Sequence, residues 1–77
     1  MNYPVYRKYL NELSWFKITG PDSFEEIRKM GTRYLKSTHA VKILPDRNLL
    51  HDLLVDYHSF AVEIDAAEYA SVEVRTQ

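Results

Sequence analysis

Seventy-seven residues, 45% of them hydrophobic and ten of them aromatic, describe one folded domain, residues 1–77, and exclude a disordered tail. The absence of cysteine excludes disulfide frameworks and thiol catalysis. Net charge is −1, but residues 1–44 carry eight Lys/Arg against four Asp/Glu, and residues 45–77 carry two against seven. Halves of opposite sign neutralise one another when they lie side by side; held apart, they favour head-to-tail self-association or a charged partner.

Met1 to Lys8 has no apolar run for a signal peptide, and no segment approaches membrane-spanning length, so a cytoplasmic protein with no membrane partner is expected. Val5–Leu10 and Ser14–Thr19 alternate as strands around Asn11-Glu12, although Glu12 stands where a tight turn usually wants glycine. A two-residue loop sets Val5 opposite Ile18, Arg7 opposite Phe16 and Tyr9 opposite Ser14. One face then carries Val5, Tyr9, Phe16 and Ile18 and reads as core. The other sets Tyr6 against Lys17 and Lys8 against Trp15. A slip of one residue exchanges the two faces.

Gly20-Pro21-Asp22 breaks the second strand. Ser23-Phe24-Glu25-Glu26 matches a capping box and predicts a helix of about two turns, with Phe24, Ile27 and Met30 on one face and Gly31 as its left-handed end. Residues 32–44 alternate Leu35, Ser37, His39, Val41 and Ile43 with polar neighbours and read as a strand, against a rival reading as helix continued through Gly31.

Pro45 and Asp46 open the strongest element, a helix over about 46–57 with Asp46 as N-cap. Leu49, Leu50, Leu53, Leu54 and Tyr57 share its apolar face. Phe60, Val62 and Ile64 make a short strand, Asp65-Ala66-Ala67-Glu68 starts a short helix, and 72–77 reads as a frayed tail or edge strand. The expectation is an α+β two-layer domain, β-β-α-β-α-β plus a short C-terminal helix, with a mainly antiparallel sheet packed on the 46–57 helix.

Chemistry is sparse. With glycine only at Gly20 and Gly31, no phosphate-binding loop is available, and no serine sits in a nucleophile elbow. Glu25 and Glu26 are explained by capping. No catalytic residues, no cofactor and no small-molecule substrate are expected. His39, His51 and His58, with Asp52 and Asp56, form the weakest candidate, a metal site, because a seven-residue histidine spacing is not the efficient helical pair.

The remaining candidate is the outer hairpin face: Tyr6, Lys8, Trp15 and Lys17, with Arg7 and Tyr3 close by. Aromatics with cations anchor protein interfaces, and the leading expectation is a non-enzymatic module that contacts another protein or itself. The competing expectation is single-stranded nucleic acid on the same face, with Arg7, Lys36 and Lys42 adding charge. Two quieter readings stand beside these. Lys8 over Trp15 and Lys17 over Tyr6 are cross-strand cation–π pairs that stabilise the hairpin, or Trp15 is covered by the C-terminal segment and belongs to the core.

Overall fold

The first hairpin sets the register of everything that follows. In the computed structural model, which describes residues 2–76, strand β1 (Val5–Tyr9) runs antiparallel to β2 (Ser14–Gly20). Val5 faces Ile18, Tyr6 faces Lys17, Arg7 faces Phe16 and Lys8 faces Trp15, as the alternation requires. The turn between them closes with the Glu12 amide donating to the Tyr9 carbonyl at 2.9 Å. Glu12 takes a φ of 58°, the left-handed conformation that glycine would adopt at least cost.

The segment 23–30 is a strand, not a helix. β3 (Ser23–Met30) pairs with β2 on one side and with β4 (Arg33–Ala40) on the other. The local capping pattern loses to pairing along both edges, and its residues serve the sheet. The Ser23 hydroxyl meets that of Thr19 at 2.7 Å, while the Glu26 carboxylate accepts from the Ser14 hydroxyl at 3.2 Å. Gly31 does adopt a left-handed φ, 64°, but as the first central residue of a two-residue hairpin turn between Met30 and Arg33. The same conformational freedom ends a helix or turns a hairpin, which is why the sequence reads both ways.

Helix α1 spans Leu44–Leu54, strand β5 Ala61–Glu63 and helix α2 Ala66–Glu73. Pro45 lies inside the first turn of α1, where its missing N–H is harmless, and Ile43 rather than Asp46 is the N-cap. Asp65 caps α2 as its sequence indicates, accepting from the Glu68 amide at 2.8 Å. α2 continues beyond Ala70, into the stretch expected to fray; Thr76 then bridges Tyr34, and Gln77 lies outside the described residues.

The five strands form one antiparallel sheet in the order β4-β3-β2-β1-β5. The domain is α+β, with the two helices on opposite faces of that sheet. Against α1, Phe16, Ile18, Phe24 and Val41 bury with Leu50 and Leu53. Against α2, Trp15 and Ile27 bury with Tyr69. Among the described residues no helix is long and apolar enough to cross a membrane.

Arg7 ties α1 to the sheet. Its Nε donates to the Leu53 carbonyl at 3.0 Å, in the last turn of the helix, and its guanidinium lies 4.0 Å from the Tyr57 ring centroid. Leu53 is fully buried beside it. Leu53→Ala is expected to cost about 2–5 kcal/mol in urea denaturation, whereas Leu44→Ala, at a side chain left in water, should change stability by less than about 0.5 kcal/mol.

Candidate functional site

The hairpin face expected to be an open platform is the seat of α2. Trp15 is only 6% exposed, packed with Ile27 and Tyr69 and with its ring centroid 5.8 Å from that of Tyr34. Tyr6 is half-buried, 5.3 Å from the Tyr69 ring. Lys8 is engaged by two carboxylates, Glu12 at 2.8 Å and Glu68 at 2.9 Å, which hold its pKa above the ordinary lysine value. Lys17 lies opposite Glu25 in the sheet and is half-buried. Arg7 points to the other face, beneath α1, and is buried. The predicted set is therefore split by the sheet, and of its two aromatics Trp15 is core while Tyr6 is half-buried.

The contributors that sequence reasoning missed are on α2. Tyr69 and Val72 supply the apolar contact, and Glu68 and Glu73 reach outward to lysines of the sheet. Lys36 of β4 meets Glu73 at 2.6 Å and Glu25 at 3.4 Å. Tyr69 is buried near Glu25, and burial first, then that carboxylate, drives its hydroxyl pKa well above the ordinary tyrosine range. The signal was present in the sequence: Glu68, Tyr69, Val72 and Glu73 fall at helical spacing after the Asp65 cap. It is short and half charged, so it reads as surface until the lysines opposite are placed.

The pairings foreseen as cation–π, Lys8 with Trp15 and Lys17 with Tyr6, are replaced. Arg7 lies over Tyr57, and Lys29 and Arg75 approach Tyr34 at 5.9 and 5.6 Å. The histidines go separate ways. His39 stacks on Phe24 at 4.9 Å, His58 stacks on Tyr57 at 4.2 Å, and His51 lies 3.8 Å from Asp52. Among the described residues no group of three or more potential ligands could hold a metal ion.

What the fold leaves open is the far end of the sheet. β4 is an edge strand of eight residues, six of them exposed, whereas the opposite edge, β5, has three residues. The Val41 amide donates to the Asp22 carbonyl at 2.7 Å, which fixes the parity of the β3–β4 ladder. Leu35, Ser37 and His39 turn their backbone groups inward to β3; Lys36, Thr38 and Ala40 turn theirs to the outer edge, where no further strand lies among the described residues. Thr76 bridges the one remaining outward position, Tyr34.

On the α1 side of this edge the helix stops short. An open groove of about 320 Å³ is lined by Glu26, Arg28, Met30, Leu35, Ser37 and His39. Met30 is 54% and Leu35 42% exposed, so apolar surface adjoins backbone that pairs with no further strand among the described residues. On the α2 side a second cleft, about 280 Å³, lies between Lys8, Lys29, Tyr34 and Arg75, but Glu12 and Glu68 share it and neutralise much of its charge.

Compared with models of protein families, with curated proteins and with solved structures, the chain finds no match. The edge and its groove must be interpreted on their own chemistry.

The seat of α2 makes a pH prediction. Lys36 holds the Glu73 carboxyl below its ordinary 4.5, so the pair contributes stability above the unfolded value and loses it as pH falls through the lower folded one. The expected result is that acidification through the carboxylate range loosens α2 and red-shifts Trp15 emission from the blue-shifted position that its burial predicts at neutral pH. In Glu73→Gln the change between pH 7 and the acid range should be smaller. An equal change in both proteins would remove the pair from the account.

Proposed function

We propose that this chain is a small, non-enzymatic protein-interaction module that works by receiving a strand. An extended protein segment pairs with the free edge of β4, and its side chains rest in the groove beside Met30, Leu35, Ser37 and His39. The observation that carries this reading is the coincidence of three outward-facing backbone positions, Lys36, Thr38 and Ala40, with exposed apolar side chains on the same strand pair. Strand addition draws affinity from main-chain hydrogen bonds and specificity from pockets for alternate side chains, and both are available here.

The edge also lacks its usual protection. Lysines commonly guard edge strands by projecting charge into solvent, but the Lys36 ammonium is folded back onto Glu73 and Glu25. Nucleic acid finds less support. Trp15 has almost no surface left for a base to stack on, and both Lys8 and Lys36 already hold carboxylates.

Amide hydrogen exchange tests the proposal. In dilute buffer the amides of Lys36, Thr38 and Ala40 should exchange freely, while those of Leu35, Ser37 and His39, bonded to β3, are protected. In concentrated cell extract, or in buffer with the protein itself raised to about 1 mM, the three outward amides should slow by at least about tenfold, the measure of an occupied edge. Free exchange in all three conditions overturns the reading.

A further inference from the structure

We infer that the strand received by β4 is β4 of a second copy of this chain, paired antiparallel about a two-fold axis at Thr38. The inference rests on the strand-receiving reading above and names its partner.

The outward positions decide the register. In an antiparallel pair, residues that turn both backbone groups toward the partner must meet one another, so Lys36, Thr38 and Ala40 can pair only among themselves and with Tyr34. Few two-fold arrangements satisfy this. Centring on Lys36 requires Thr38 to meet Tyr34, whose outer side Thr76 already bridges, and leaves Ala40 unpaired. Centring on Ser37 requires Ala40 to meet Tyr34, whose outer side Thr76 already bridges. Centring on His39 joins only Thr38 and Ala40 and leaves Lys36 unpaired.

Centring on Thr38 avoids all three faults. Lys36 meets Ala40 of the second copy, Thr38 meets its own equivalent, and Tyr34 keeps Thr76. Three such pairs exchange about six N–H···O bonds across the axis. No charge is set against a like charge, and threonine facing threonine is a favourable cross-strand pair. On the groove face the Ser37 hydroxyl comes opposite His39 of the second copy. Within each chain these two side chains already approach to 3.0 Å, so the four form one polar cluster across the axis. The grooves beside Met30 and Leu35 then lie on the same side of a continuous ten-stranded sheet.

The self-complementary edge is the argument for a second copy. An unrelated strand would have to match the alternation of lysine, threonine and alanine, and β4 already does. The contact is small beside the roughly 1,200–2,000 Å² of a standard stable interface, so the dimer is expected to be weak, forming in the micromolar range or above.

The experiment is sedimentation of the purified chain from about 10 μM to about 1 mM, a range chosen for weak association, with hydrogen exchange at both ends. The expected result is a mass that rises from 9.1 kDa toward twice that value. Protection should appear at Lys36, Thr38 and Ala40 in step with the rise. Thr38→Pro removes a donor that the monomer does not use and tests the axis directly. Thr38→Asp sets two carboxylates opposite each other and serves if the proline variant does not fold. Each variant should weaken association by at least about tenfold while keeping blue-shifted Trp15 emission as proof of an intact fold. A protein that stays monomeric throughout, or a dimer that survives both variants, overturns the inference. A monomer whose outward amides are nonetheless protected in extract would mean that the edge receives another protein's strand, so this inference would fail while the strand-receiving reading stood.

Discussion

Strand β2 is apolar on both of its faces, and the rest of the chain is arranged to satisfy that one constraint. Trp15 looks one way, Phe16 and Ile18 the other, and all three are buried. A strand with two apolar faces cannot lie at an edge or in a sheet that is bare on one side. It takes a strand on either flank, β1 and β3, and a helix above and below. Each large side chain so covered is worth roughly 1.5–3 kcal/mol. That gain explains why Ser23–Met30 abandons its local helical signal: as a helix it would leave one flank of β2 unpaired.

The two helices solve the covering problem by different means. α1 buries leucines and is fastened at its C-terminal end by Arg7, a guanidinium placed where the helix carbonyls carry partial negative charge. α2 has one fully buried side chain, Tyr69, and depends on charge around it. The basic first half and acidic second half of the sequence meet in this docking, Lys8 on Glu68 and Lys36 on Glu73. Exposed pairs of this kind are individually weak, so position rather than strength is their contribution. They fix where a small helix sits on a broad sheet.

The parts of the fold legible in the sequence are those in which neighbours along the chain decide the outcome. The β1–β2 register follows from alternation around Asn11-Glu12, and the leucine spacing of α1 from helical periodicity. Two features were hidden because remote residues decide them. Ser23–Met30 carries a sound capping box, and only pairing to β2 and β4 makes it a strand. Tyr6, Lys8, Trp15 and Lys17 have the composition of a binding platform. That composition equally suits an internal surface whose cover is a half-charged helix, and nothing within the hairpin distinguishes the two. The open edge of β4 was hidden for a related reason: sheet order, not strand sequence, determines which strand is last.

The placement of Lys36 has a consequence of its own. Its ammonium holds Glu73 of α2, and its backbone groups face the open edge. One residue therefore belongs to two boundaries of the domain, the seam under a helix and the margin of the sheet. An event that draws Glu73 away leaves the Lys36 ammonium on Glu25 alone, at the root of that same margin. Seam and margin therefore meet in one residue, and a substitution at Lys36 touches the first through its side chain and the second through the strand that carries it.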